Sequence, residues 1–334
     1  MDNNENKMSF VLPLTLKEQS SGMNKWRCDV NNQITKRTGL MLRSFIKMFN
    51  QDQIMDFFIV CPSHEIEIIN ELLSTITSNP SYKVISEVEI CPEINEMRGR
   101  TGKVEGWFVQ QIIKLAIHER ITTPYYLTFD SDILCMKPFE YADLFKSGKA
   151  LLNIENKDDY ARIYASDFVD REINNKASRF AGSGKILGYQ RSQSYKDTFY
   201  GETPVILHTA TVSSLTKYIA DRFSAPWRSL LAINLIWTEY TLYFLYLEMN
   251  GTINDIYYKT SCNNVLDLEK SVWLPSKLYK EKRRYNKDHF VGRKYSDGGL
   301  FVAIQSWLDI KSWLPDEFES IDEFYDDIEK WLME

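Results

Sequence analysis

No run in this 334-residue chain approaches the roughly 18 consecutive apolar residues of a transmembrane helix, so none is predicted. The first seven residues are polar, and the apolar segment Ser9–Leu16 is too short for a secretory signal. Cysteine is sparse and unpaired in pattern. Cys28, Cys61, Cys91, Cys135 and Cys262 are scattered, with no metal-ligand spacing among them. An odd count without a framework predicts reduced thiols and a cytoplasmic setting, with a peripheral membrane contact left open. Positive charge is also short: a formal net charge of −6 argues against a nucleic-acid binder working through a broad basic surface.

What is present is apolar and aromatic. Hydrophobic residues make up 44% and aromatics 13% of the chain, enough for a sizeable core in one large α/β domain or two small ones. Aromatic side chains serve core packing, and they also face the apolar C–H surfaces of sugars.

The residues that carry most information run from Tyr125 to Phe139. A short apolar run, Tyr125–Phe129, ends in Asp130 and Asp132, one residue apart. The run predicts a buried strand. Open α/β sheets bind ligands at the carboxyl ends of their strands, where these aspartates fall. Two hard oxygen donors there suit Mg²⁺ or Mn²⁺ shared with substrate phosphates, hence a nucleotide-type donor. An Asp-x-Asp triplet also occurs by chance in soluble proteins, and a solvated turn with an aspartate capping a helix is the alternative.

Along the chain, strand-like segments (Met8–Leu14, Asp56–Cys61, Tyr82–Cys91, Tyr125–Phe129, Ala150–Ile154, Val205–His208, Thr252–Tyr258) alternate with helical ones (Thr38–Asn50, a helix from Pro62–Ser63, Gly106–Glu119, Asp158–Ile173, Thr211–Phe223, one or two over Pro226–Asn250). Such alternation predicts an α/β fold with a mostly parallel central sheet flanked by helices and a helix-rich C-terminal half. Gly182–Gly188 reads as a turn. Residues 1–7 read as a disordered tail, 8–315 as one domain, and 316–334 as an acidic helix with Phe318, Ile321, Phe324, Ile328 and Leu332 on one stripe.

Several side chains outside the aspartates are candidates for chemistry. Trp107, Gln110, Gln111 and Lys114 share a helix face, which suits ligand hydrogen bonding or a buried polar seam. Arg98, Arg100 and Lys103 lie in a glycine-containing loop without P-loop spacing, either as diphosphate ligands or as an ordinary basic surface. Glu239 is a lone carboxylate entering an apolar stretch. Desolvation there raises a carboxyl pKa and suits a general base; a helix-start carboxylate favoured by the macrodipole is the alternative. His289 and His208 are candidate third metal ligands or structural histidines.

Together, Gly106-Trp107, Gln110-Gln111, Lys114-Leu115, Asp130-Ser131-Asp132 and Pro138, with Thr203-Pro204 and Glu239-Tyr240 further on, resemble the GT-A-type nucleotide-sugar glycosyltransferases. The layout is most similar to a bacterial and viral glycosyltransferase family, over roughly residues 8–251. The resemblance implies a GT-A-like, Rossmann-like fold. It implies metal-dependent transfer of a sugar from a nucleoside diphosphate sugar, UDP- or GDP-linked, to a hydroxyl of a glycan or glycoconjugate acceptor, with inversion. In that scheme 8–155 is the nucleotide-sugar half and 156–315 the acceptor half. Asp130, Asp132 and His289 hold Mn²⁺ or Mg²⁺, and the resemblance favours His289 over His208. Pro13, Leu14 and Thr15 meet base and ribose. Arg100, Lys103, Trp107, Gln110, Gln111, Lys114 and Ser131 complete the donor site, and Glu239 is the base. A metal-dependent phosphohydrolase or nucleotidyltransferase using the same aspartates, and a non-catalytic binding protein docking through its acidic helix, are the competing classes.

Overall fold

A computed structural model describes residues 6–16, 30–94, 106–192, 194–233, 236–281, 298–305 and 318–333. The predicted α/β architecture is present. Strands β1 (Met8–Pro13), β2 (Ile54–Cys61), β3 (Tyr82–Ser86) and β4 (Tyr125–Thr128) run parallel in the order β3-β2-β1-β4. A fifth strand, Val205–His208, closes the β4 edge antiparallel. Chain order reverses at β1: β2 and β3 lie on one side and β4 on the other. The crevice at such a reversal, above the strands' carboxyl ends, is where open α/β sheets take their ligands.

Alternation along the strands puts helices on both faces. Phe10 of β1 points to helix α1 (Val30–Met48), packing on Phe45 and Phe49 with ring centroids 4.8 and 4.9 Å apart. Tyr126 of β4 points the opposite way and donates to the Lys114 carbonyl of a second helix, α2 (Gly106–Ala116), at 2.8 Å. Phe129 leaves β4 between Phe10, Phe45, Phe57 and Phe301, so the residue just before Asp130 is anchored in the aromatic core. Strand β5 (Ile133–Cys135), which follows, pairs antiparallel with Phe301–Ala303, and Ile304 N–H donates to the Asp132 carbonyl at 2.9 Å. Both ends of the Asp130–Asp132 turn are thereby fixed.

Beyond the turn lies a second sheet on strand β6 (Lys149–Asn156), which pairs parallel with Tyr257–Thr260 and antiparallel with Thr198–Tyr200. Three helices matter for the site: α3 (Ser166–Leu187), α4 (Glu239–Met249) and the C-terminal α5 (Ile321–Met333). Among the described residues, no helix is long and apolar enough to cross a membrane.

Four local expectations need correction. Gly182–Gly188 is not a turn: α3 runs through it to Leu187, and only Gly188, at φ +65°, caps it in the left-handed region. Gly182 serves close packing, because a Cβ there would lie 1.7 Å from the Ile236 carbonyl oxygen. The strand expected over Tyr82–Cys91 ends at Ser86, whose hydroxyl caps the helical turn Glu87–Ile90. The strand expected over Thr252–Tyr258 begins only at Tyr257, after the helical turn Ile253–Ile256. The single helix expected over Asp158–Ile173 is two, Lys157–Ile163 and α3, separated at Tyr164–Ala165.

Among the described residues, Cys61, Cys91, Cys135 and Cys262 are buried and free. Burial, followed by Glu65 and Glu87, pushes the Cys61 thiol up to about 12, so it stays protonated and inert.

Candidate active site

The site centres on a lysine. Lys114 projects from α2 toward the end of β4 and is buried, yet it meets three polar partners. Its ammonium donates to Asp130 Oδ1 at 2.7 Å and to the Tyr240 hydroxyl at 2.7 Å, and lies 3.0 Å from Glu239 Oε1. Burial alone would depress its pKa. Asp130, Tyr240 and Glu239 together outweigh burial and hold it well above the usual lysine value. Lys114 is therefore a permanent cation joining the strand-end aspartate to the start of α4.

That start is built with care. Thr238 is the N-cap of α4, its hydroxyl accepting from Thr241 N–H at 3.2 Å. Ser183 of α3 meets Thr241 Oγ1 at 2.7 Å, and the bare face of Gly182 lets the chain at Ile236 approach α3. The Trp237 indole, fully buried, donates to the Leu231 carbonyl at 2.9 Å. Glu239 is the first helical residue, where the macrodipole favours its charge. Its side chain is only 3% exposed. Burial raises its pKa, Lys114 pulls it back, and Asp130 adds to the rise, leaving it above the ordinary carboxyl value. Burial, reinforced by Glu239, keeps Tyr240 a neutral phenol.

Asp130 opens the crevice: its side chain is 35% exposed, beside the carboxyl end of β1. Strand pairing places Pro13, Leu14 and Thr15 there. Val11 is in register with Thr128, the Phe129 N–H donates to the Val11 carbonyl, and Leu14 N–H to that of Val60. Buried Glu65 fixes the exit of β1 by accepting from Leu16 N–H at 2.7 Å and Thr15 Oγ1 at 3.2 Å. Ser131 Oγ accepts from Arg37 at 3.4 Å. Asp132, half-buried, completes the turn.

The predicted helix face is split by the fold. Lys114 and Gln111 are buried, Gln110 is half-buried, and Trp107 is 44% exposed under the Arg179 guanidinium at 5.6 Å. Gln111 donates weakly to the Trp107 carbonyl at 3.5 Å, while its Oε1 is buried without a partner among the described residues. Arg98, Arg100, Lys103 and His289 lie outside the described residues. His208 does not reach the aspartates. Its strand is antiparallel to β4, so it pairs with Tyr125 at the far end, where its ring meets Thr211 Oγ1 at 2.9 Å.

Asp130 and Asp132 are hard oxygen donors on one half-open turn, which fits Mg²⁺ or Mn²⁺. Among the described residues, no group of three His, Cys, Asp or Glu is placed to hold a metal.

Sequence reasoning missed a neighbouring cluster. Lys176 of α3 bonds Glu155 of β6 and approaches Glu202 at 3.9 Å; Tyr160 donates to Glu155 at 2.7 Å, and Arg179 bonds Glu202 at 3.1 Å. The signal was available. Ile173, Lys176, Ala177 and Phe180 form an i, i+3, i+4, i+7 stripe with a lysine among apolar residues. Glu202 stays ionised below the usual carboxyl range: burial works against this, and Lys176, Arg179 and Lys114 overcome it.

Residues 5–329 match a protein family described as a family of unknown function, DUF6492. The chain belongs to that family. No curated protein matches its sequence. Its fold is similar to a crystal structure of mouse xyloside xylosyltransferase 1 in apo form, at 10% identity and a TM-score of 0.48, covering 90% of this chain and 98% of that one. It is also similar to the galactosyltransferase LgtC in complex with donor and acceptor sugar analogues, at 10% identity and a TM-score of 0.48, covering 98% and 97%. An active-site mutant of LgtC gives 10% identity and a TM-score of 0.49, covering 97% and 96%.

Proposed function

We propose that this DUF6492 chain is a glycosyltransferase that moves a sugar from a UDP- or GDP-linked donor to a hydroxyl of a glycan or glycoconjugate, with Mn²⁺ or Mg²⁺ held by Asp130 and Asp132. The observation that carries this reading is the buried Lys114 ammonium, which ties half-exposed Asp130 at the sheet's reversal point to Glu239. A fixed cation joins the strand-end carboxylate to a buried carboxylate of raised pKa, where such sheets take their ligands.

The metal, when bound, supplies Lewis-acid neutralisation of charge on the departing diphosphate. The protein's own groups do the rest. Lys114 orients Asp130 and adds fixed positive charge in a water-poor site, where preorganised charges act most strongly. Glu239 is the candidate base. The acceptor oxygen bonds the anomeric carbon, its proton passes to the Glu239 carboxylate, and the carbon–diphosphate bond breaks with its electron pair leaving on the diphosphate. A carboxyl pKa raised above the ordinary value suits that proton uptake.

A screen of nucleoside diphosphates and their sugars by thermal unfolding, with and without Mn²⁺, tests the donor class: one nucleotide family raises the unfolding temperature only with metal. Asp132→Ala is expected to lose metal-dependent transfer while folding normally, and full turnover of that variant in EDTA would defeat the proposal. Glu239→Gln is expected to lower turnover with donor affinity kept; a normal rate reassigns Glu239 to positioning Lys114. Release of free sugar phosphate or pyrophosphate in place of a nucleoside diphosphate would favour the phosphohydrolase alternative.

A further inference from the structure

The Asp130–Asp132 turn has a second wall, formed by α1 and the C-terminal helix α5. Arg37 of α1 donates to Ser131 Oγ at 3.4 Å, and the Nε of the same guanidinium is buried with no hydrogen-bond partner among the described residues. Tyr325 of α5 is 4% exposed. Burial pushes its phenol up, Arg37 pulls it back, and Asp132 and Asp322 add to the rise. Asp322 stands one turn before Tyr325, and its Oδ1 is likewise buried without a partner among the described residues.

Helix α5 is firmly seated. Lys36 bonds Asp326 at 2.7 Å, Arg43 bonds Glu329, and Phe324, Ile328 and Leu332 are buried. The acidic helix expected from the sequence therefore packs on the chain's own α1.

Buried polar atoms without partners are costly and uncommon. Among the described residues, a guanidinium N–H here lacks an acceptor and a carboxylate oxygen lacks a donor, and they do not satisfy each other. A ligand supplying anionic oxygens to the first and hydroxyl groups to the second satisfies both. A nucleoside diphosphate sugar carries both kinds of group. A diphosphate at this turn calls for positive charge besides the Lys114 ammonium, which Asp130 and Glu239 already hold. Arginine suits that need, since its planar fork matches phosphate oxygens at two points.

We propose that Arg37, aligned by Tyr325 of the C-terminal helix, binds the diphosphate of the nucleotide donor, so that α5 is a working wall of the donor site. This rests on the glycosyl-transfer reading. Calorimetric titration of the full-length protein with UDP, GDP and inorganic pyrophosphate, each with and without Mn²⁺, tests it. Arg37→Ala is expected to weaken the preferred nucleotide and pyrophosphate alike by roughly tenfold to a hundredfold, the range for a charge-assisted contact. Arg37→Lys recovers little of this, because an ammonium offers no fork, and Tyr325→Phe, which keeps the ring and its packing, weakens binding several-fold with an unchanged unfolding temperature. Wild-type affinity in Arg37→Ala, or in Arg37→Lys and Tyr325→Phe should the alanine variant not fold, overturns the inference and leaves the function standing. Absence of any metal-dependent nucleotide binding by the wild-type protein overturns both.

Discussion

Lys114 and Lys176 are two buried lysines in similar settings with different uses. Each leaves a helix to hold a strand carboxylate, Asp130 after β4 and Glu155 within β6, and each has a tyrosine hydroxyl in the same network. They differ in what the carboxylate faces. Asp130 is a third exposed, at the reversal point of a parallel sheet, whereas the Glu155 side chain is 4% exposed and receives a second hydrogen bond from Tyr160. A buried ion pair alone is weak evidence of stability or function. The Lys114 network leaves one carboxylate open to solvent, and that makes it a candidate for chemistry. The Lys176 network has its open member, Glu202, paired with Arg179 as well, and joins α3 to the second sheet.

The comparison can be broken by substitution. Lys114→Met has the largest expected effect: it strands a buried Glu239 and frees Asp130, costing about 3–5 kcal/mol in denaturant unfolding and abolishing metal-dependent nucleotide binding. Lys176→Met is expected to cost about 3 kcal/mol, because Tyr160 still satisfies Glu155, while nucleotide affinity in the folded fraction stays normal. Loss of binding in that variant would make the second cluster part of the site. Gly182→Ala links the two clusters, since α3 carries Lys176 and abuts the start of α4; the clash with the Ile236 carbonyl should cost roughly 1–3 kcal/mol and lower turnover through displacement of Glu239.

Tyr240→Phe removes one hydrogen bond from Lys114 and should cost about 1 kcal/mol; an effect as large as that of Lys114→Met would place the phenol at the centre. The smallest effect is one of pH. The folded pKa of Glu239 lies above the ordinary value of 4.5, so the folded state takes up that proton before the unfolded chain does. Wild type should gain stability relative to Glu239→Gln as pH falls from that raised value toward 4.5, and a difference that stays constant with pH would show that burial leaves the carboxyl unperturbed.

Legibility in the sequence followed how local each cause was. Tyr125–Phe129 is strand-like because its residues are apolar and β-favouring, and its end at Asp130 follows from that run alone. Four parallel strands came from alternation of helix and strand. Gly182 misled because glycine permits both a turn and a close approach, and only the neighbour at Ile236 decides between them. The face Trp107–Lys114 was correct as helical spacing, yet periodicity cannot say which of its members is covered. Tyr240 and Glu239 lie more than a hundred residues from Lys114, and nothing in either segment announces the other.

The sequence by itself determined the alternation of strands and helices through the parallel sheet, the apolar strand that ends in Asp130–Ser131–Asp132, and the lack of any long apolar span. These depend on hydrophobic period and backbone preference within a few residues. Only the tertiary structure decided that Lys114 meets Asp130 and Glu239, that His208 sits at the wrong end of its strand, and that the C-terminal helix packs on α1. Those outcomes depend on strand direction, burial and the pairing of charges from distant segments, which exist only once the chain has packed.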